Sequence, residues 1–257
     1  MKKHLPVFLT FLLGAILTFA PLAYAQALSI DLGGDDGTLA GRVVQMLALL
    51  TVLSIAPGII IMMTSFIRIV VVLSFLRTAL GVQQTPPNMV MMSLAMFLTF
   101  FIMNPTLNTA YEEGIKPLMN QEIEETVAFE RAVEPFKVFM LKQVRDADIQ
   151  LFLELSKTEP PKTAMDTPIQ VVIPAFMISE LRRAFEIGFM LFLPFLIIDM
   201  VTASILMSMG MMMLPPIMIS LPFKIIFFVM VDGWHLVVGS LVKSFDVIPA
   251  AVPAVTQ

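Results

Sequence analysis

The chain contains no cysteine, which excludes disulfides, thiolate nucleophiles and sulfur-ligated metals together. It has two histidines, His4 and His235, too few for a histidine metal site or a catalytic dyad. Charge is scarce: 14% of residues are charged, against about a quarter in a soluble domain. A formal net charge of −4 offers no basic face to a nucleic acid. No phosphate-binding glycine loop, H-E-x-x-H or G-x-S-x-G stretch occurs, so ATPase and hydrolase chemistry has no residues to carry it. No catalytic residue, cofactor site or metal site is assigned, and the chain is not expected to be an enzyme.

What is present is apolar. Of 257 residues, 58% are hydrophobic and 22 are methionine, a flexible and polarizable side chain that fills irregular contacts. The N-terminus reads as an address: Lys2 and Lys3, an apolar stretch from Leu5 to Ala20, then Ala23-Tyr24-Ala25 before Gln26. That is the pattern of a signal peptide over residues 1–25, with an uncleaved first membrane helix as the alternative. A linker (26–40) leads to an apolar block, Val43 to Leu80, interrupted by Pro57-Gly58, where a kink or break is expected. Gln83 to Asn88, with Pro86-Pro87, reads as a turn, and a second run, Met89 to Met103, is expected to stop at Asn104-Pro105. These make a first helical hairpin, 41–105.

Residues 106–168 differ in kind. From Tyr111 to Asp166 there are twelve acidic and seven basic residues, which marks a solvated, acidic segment. Phe136, Met140, Val144, Ala147, Leu151 and Leu155 recur at spacings of three and four, predicting one amphipathic helix with Pro135 in its first turn. Pro160-Pro161 closes the region. A second hairpin, 169–246, turns at a methionine-rich stretch, Met207 to Met213, before Pro215-Pro216, and a tail (247–257) follows. With an exported N-terminus, the first turn, near Arg77, faces the cytoplasm and the acidic segment the periplasm.

Ionisable residues punctuate the apolar blocks: Arg68, Glu180, Arg182, Arg183, Glu186, Asp199, Lys224 and Asp232. Facing lipid, each costs about 2.5–3.5 kcal/mol, so they are expected to face protein or a wet lumen. Glu180 with Arg183, and Arg182 with Glu186, have the spacing of helical ion pairs, against the alternative of an ion pathway. Asp199 and Lys224 lie on opposite arms of the second hairpin and can pair within one chain or between subunits. Asp199 with Asp232 as a membrane aspartyl protease lacks the glycine context of such enzymes. A solute transporter would call for two alike halves, which are absent. The methionine cluster supports two readings, ordinary packing or a seal in a ring of subunits.

The stretches Ser65-Phe66-Ile67-Arg68 through Arg77, Gln83-Gln84-Thr85-Pro86-Pro87-Asn88, Ser179-Glu180-Leu181, Ile198-Asp199-Met200, Met209-Gly210-Met211-Met212-Met213-Leu214-Pro215-Pro216, and Leu221-Pro222-Phe223-Lys224 through Asp232-Gly233-Trp234 resemble the FliP/SctR family of type III secretion export-gate subunits. The resemblance covers nearly all of the chain after the leader, and the methionine turn and signal peptide favour its flagellar branch. It implies a ring of five copies assembled with FliQ and FliR, with FlhB attached and FliO assisting assembly. The complex sits in the flagellar basal body at the bacterial inner membrane, and unfolded substrates pass through its lumen. It also implies that Met209, Met211, Met212 and Met213 form a gasket, and that export is driven by the proton-motive force and a separate ATPase. The expected fold class is therefore an all-α, multi-pass membrane protein: kinked helical hairpins around an acidic periplasmic segment, assembled in a helical ring. The short second run and the Pro57 and Pro194 interruptions fit bent hairpins buried against neighbours better than four lipid-facing spans.

Overall fold

A computed structural model describes residues 39–82, 85–157, 161–210 and 215–246. The signal peptide, most of the linker, Gln83, Gln84, Pro160, Met211 to Leu214 and the tail lie outside the described residues. The chain divides into two units, Met1–Val52 and Leu53–Gln257. Of the first, residues 39–52 are described; they are helical, and their described side chains are exposed.

The elements run α1 (Leu39–Met62), α2 (Phe66–Leu80), α3 (Asn88–Ala110), a π-helical turn (Tyr111–Ile115), α4 (Lys116–Met119), α5 (Glu125–Gln143), α6 (Asp146–Ser156), a 3-10 turn (Ala164–Asp166), α7 (Ile169–Ser208), α8 (Pro216–Met230) and α9 (Gly233–Asp246). No strand occurs among the described residues, and the protein is all-α. Among the described residues, three helices are long and apolar enough to cross a membrane: Val43–Met62, Asn88–Met119 and Ile169–Ser208. The pair Pro216–Met230 and Gly233–Phe245, bent by 64°, makes a fourth if taken as one broken span.

At the centre is α2, packed most extensively on α7. Its Ile69, Val72, Leu73 and Leu76 are fully buried against Ala95 of α3, Ala184 and Phe195 of α7, and Leu241 of α9. Its outward face is narrow and carries Ser74 and Thr78, exposed residues whose hydroxyls donate back to the Val70 and Ser74 carbonyls. The helix ends where Gly81 takes φ 77 and its N–H bonds to the Thr78 carbonyl, a left-handed cap that suits glycine. A second cluster, Met63, Met140, Val172 and Phe176, ties the acidic segment to the start of α7. Small residues set the closest crossings: a Cβ on Gly114 would lie 2.7 Å from the Ala132 Cβ, and one on Gly188 would lie 2.5 Å from the Phe75 ring.

Five breaks fall elsewhere than the sequence predicts. α1 continues through Pro57, and the chain breaks instead at residues 63–65, where the Thr64 hydroxyl donates to the Ile61 carbonyl at 2.7 Å and competes with the helical ladder. α3 does not stop at Asn104-Pro105; it runs on to Ala110, and the π turn and α4 carry the helical path to Met119, longer than the short run expected. Pro135 lies inside α5 rather than in a first turn, and the single amphipathic helix is two. The division comes at Val144, with ψ 148, and Ala147, Leu151 and Leu155 of the predicted stripe end up exposed on α6. Pro194 lies within α7, which is unbroken over 40 residues, because a proline forfeits one ladder bond while the flanking apolar surface remains packed. The last block splits at Asp232, with φ 50, and Gly233. There a Cβ on Gly233 would overlap the Phe228 ring at 2.2 Å, so the tight turn admits only glycine.

Candidate functional site

The polar side chains of the apolar blocks gather at two places. The first is built on Arg68, in the first turn of α2 and fully buried. A guanidinium has five N–H donors, and each one is used. Nε donates to Glu180 Oε2 at 2.8 Å, and Nη2 donates to Glu180 Oε1 at 2.5 Å and to Gln143 Oε1 at 2.9 Å. Nη1 donates to the carbonyl and the hydroxyl of Ser244, at 3.1 and 2.9 Å. The Phe245 ring lies under the guanidinium, 3.7 Å from carbon to centroid, and the Phe245 carbonyl accepts from Gln143 Nε2 at 3.2 Å. Four helices (α2, α5, α7 and α9) therefore meet at one fork-and-carboxylate pair. Arginine suits this place because its planar fork holds a carboxylate at two points and keeps three donors for others.

Next to Glu180, the Ser179 hydroxyl donates to Asp148 Oδ2 at 2.5 Å and accepts from the Arg145 backbone N–H at 3.1 Å. Arg145 clasps the same carboxylate through Nε and Nη2, at 2.9 and 2.8 Å. Asp148 is in the first turn of α6, where a negative charge is favoured. Burial pushes its carboxyl upward, but the Ser179 hydroxyl and the Arg145 guanidinium outweigh that, holding it below the usual carboxylate value. This clasp is why the helix divides at Val144 and Arg145.

The second place lies near the turns of both hairpins. Lys224 Nζ donates to Asp199 Oδ2 at 2.6 Å and to the Ala79 carbonyl at 3.2 Å, in the last turn of α2. The Ser220 hydroxyl donates to Asp199 Oδ1 at 2.5 Å. Within this chain Asp199 and Lys224 are paired. Lys224 also joins the hairpins, since a cation is favoured at the carbonyl end of α2.

Of the predicted pairs, Arg182 with Glu186 forms on the exposed face of α7 at 2.9 Å. Glu180 with Arg183 does not form, because Glu180 is engaged by Arg68 from 112 residues away. Asp232 is apart from Asp199, at the left-handed corner before α9. Pro86 follows a cis peptide bond and Pro87 precedes α3, and Arg77 donates to Asn88. At the second turn, Met209 is 63% exposed, Gly210 has φ 75, and Pro215 and Pro216 open α8. Met211, Met212 and Met213 lie outside the described residues. The sequence reading missed Gln143, Asp148, Ser179, Ser220 and Ser244. A polar residue recurring in helical register with buried apolar ones, such as Gln143 three after Met140, was the available signal. Among the described residues no group of acidic and histidine side chains is placed to hold a metal.

These features define a class: an all-α membrane protein in which two ion pairs, Arg68 with Glu180 and Lys224 with Asp199, fasten its helices to one another. The family follows from comparison. The FliP family profile matches residues 49–241. The flagellar biosynthetic protein FliP of Caulobacter vibrioides is 62% identical over 232 residues, covering 90% of this chain and 86% of the relative. That of Bacillus subtilis is 58% identical over 79% of this chain and 91% of its own length. That of Rhizobium meliloti is 50% identical over 93% and 98%. The chain belongs to the FliP family.

Proposed function

We propose that this chain is a pore-forming subunit of the flagellar type III protein export gate, passing unfolded flagellar proteins across the bacterial inner membrane. The observation that carries the reading is identity of 50–62%, over most of both chains, to proteins named for flagellar biosynthesis. In this reading five copies form a ring with FliQ and FliR, FlhB attaches, FliO assists assembly, and the acidic segment faces the periplasm within the basal body. The chain catalyses no reaction. Its charges hold hairpins in register, and the turn from Met209 through Met211, Met212 and Met213 to Pro215 closes the lumen. Thioethers suit a seal because they close on one another when idle and conform to any passing chain. The exposure of Met209 beside the left-handed Gly210 supports a turn that presents methionine outward.

The test is a strain carrying Met211→Ala, Met212→Ala and Met213→Ala together. The expected result is an assembled complex of normal size, with ion leakage across the inner membrane and slowed growth. A triple variant that assembles and does not leak assigns these methionines to packing. A wild-type chain that purifies only as a monomer or dimer, without FliQ-like and FliR-like chains, overturns the gate reading altogether.

A further inference from the structure

A groove of about 400 Å³ runs along α3 and takes no part in either charge cluster. Met92, Met96 and Phe100 follow one another at i, i+4 spacing along it, Phe97 flanks them, and Phe66 at the start of α2 adds a wall. The lining is methionine and phenylalanine, with Ser93 the exception among the described residues.

The groove has a polar end. Asn88 continues the row of Met92, Met96 and Phe100 one turn further, and its side-chain oxygen accepts from Arg77 Nη1. Arg77 is half-buried in the last turn of α2 and, among the described residues, forms no ion pair with a carboxylate. A guanidinium has five N–H donors, so the bond to Asn88 leaves most of the fork unused. Asn88 is also the first residue of the membrane-length helix Asn88–Met119. Arg77 therefore stands where the apolar stretch begins, and the groove runs inward from it. From Asn88 to Phe100 is about 18 Å at the helical rise, close to the depth of one leaflet, half of a hydrocarbon core about 30 Å thick.

We propose that this groove holds an acyl chain of an anionic membrane phospholipid, with the lipid phosphate on Arg77. Thioether side chains conform to a flexible hydrocarbon at little cost. A phosphate is the group that a free arginine fork holds at two points. A cation without a carboxylate, beside apolar surface of leaflet depth, selects the anionic lipids among those present. The site belongs to the first hairpin and needs neither a ring nor export.

For the test, the full chain, with any subunits that copurify, is reconstituted in phosphatidylcholine vesicles. These contain a trace of phosphatidylglycerol whose acyl chain bears a diazirine. Irradiation is expected to label peptides covering residues 89–100 above those of the other membrane-length helices. Arg77→Gln should lower that labelling about fivefold, the effect of taking one basic residue from an anionic surface, and Arg77→Lys should retain most of it. A phosphatidylcholine probe with the same acyl chain should label the groove less and be indifferent to Arg77→Gln. Ser93→Trp fills the groove from an exposed position and leaves the core alone, so it should abolish labelling by both probes. Labelling spread evenly over the exposed helix faces, or a phosphatidylglycerol signal that Arg77→Gln leaves unchanged, overturns the inference. So does a groove that stays unlabelled, as when another protein chain covers it. The gate reading stands or falls separately, on the methionine variants and the purified complex.

Discussion

Removing the carboxylate of Glu180 tests the central cluster most sharply. Glu180→Ala deletes two of the five bonds to Arg68 and leaves a guanidinium fully buried without a counter-charge. Stranding one member of a buried pair costs about 3–5 kcal/mol, a large part of the roughly 5–15 kcal/mol that holds a domain folded. Replacing both partners, as Arg68→Met with Glu180→Met, removes the isolated charge but leaves the Gln143 amide oxygen and the Ser244 carbonyl without their donor. Each such group costs about 1–3 kcal/mol if no water reaches it. The double variant should therefore still be destabilised, yet by less than the sum of its two single changes. The assay is denaturant unfolding of the purified full chain in detergent, as a double-mutant cycle, alongside accumulation in membranes. Strictly additive single effects, or a Glu180→Ala chain that unfolds with the wild-type midpoint, would refute the reasoning.

Three further outcomes are expected. Gly188→Ala places a methyl 2.5 Å from the Phe75 ring and 3.2 Å from its Cβ, too close for a ring flip to relieve, so stability should drop by about 1–3 kcal/mol; an unchanged unfolding midpoint would contradict the packing described. Asp199→Ala should harm stability and swimming more than Lys224→Ala, because it strands the more deeply buried partner, with side-chain exposures of 5% for Lys224 and 29% for Asp199; the reverse order on plates and in unfolding curves would reject this. Asp148 has a depressed carboxyl, so its contribution is fully present above the unfolded value of about 3.9 and disappears as pH falls through its lower folded value. The stability gap between wild type and Asp148→Asn should accordingly be constant at neutral pH and shrink on acidification below about pH 4; a gap that stays the same down to pH 2 would show that the charge contributes nothing.

Helix content and the positions of the buried charges were legible because both rest on local signals. Long apolar runs leave a chain no alternative to helices in a bilayer, and an arginine among Ile67, Ile69 and Val70 must find a partner. What could not be read was the partner. Spacing offered Glu180 the neighbour Arg183, three residues on, while the folded chain brings Arg68 from a different hairpin. Proline was the other misleading signal: Pro57, Pro105, Pro135 and Pro194 all lie inside helices. Breaks come instead where a side chain takes over backbone bonding, at Thr64, or where a buried clasp holds the chain extended, at Arg145. Those causes depend on contacts across the fold, which no window of sequence contains. The Asp199–Lys224 pair was legible in identity but not in geometry, because the turn between α7 and α8 sets which levels of the two arms meet.

The unbroken course of α7 gives the two charge clusters a mechanical relation. Glu180 and Asp199 stand nineteen residues apart on this one helix, a separation of about 28 Å at the helical rise. A rod of that length turns rotation at one end into travel at the other: a tilt of about 3° pivoting at Glu180 shifts Asp199 by roughly 1.5 Å. That displacement is about half a hydrogen-bond length, enough to part Lys224 from Asp199 or press them together. The end of α7, which carries Met207 and is capped by Met209, lies beyond Asp199 on the same rod and moves farther still. Strain applied near Gln143 and Ser244 would thus be read out at the methionine turn by leverage alone.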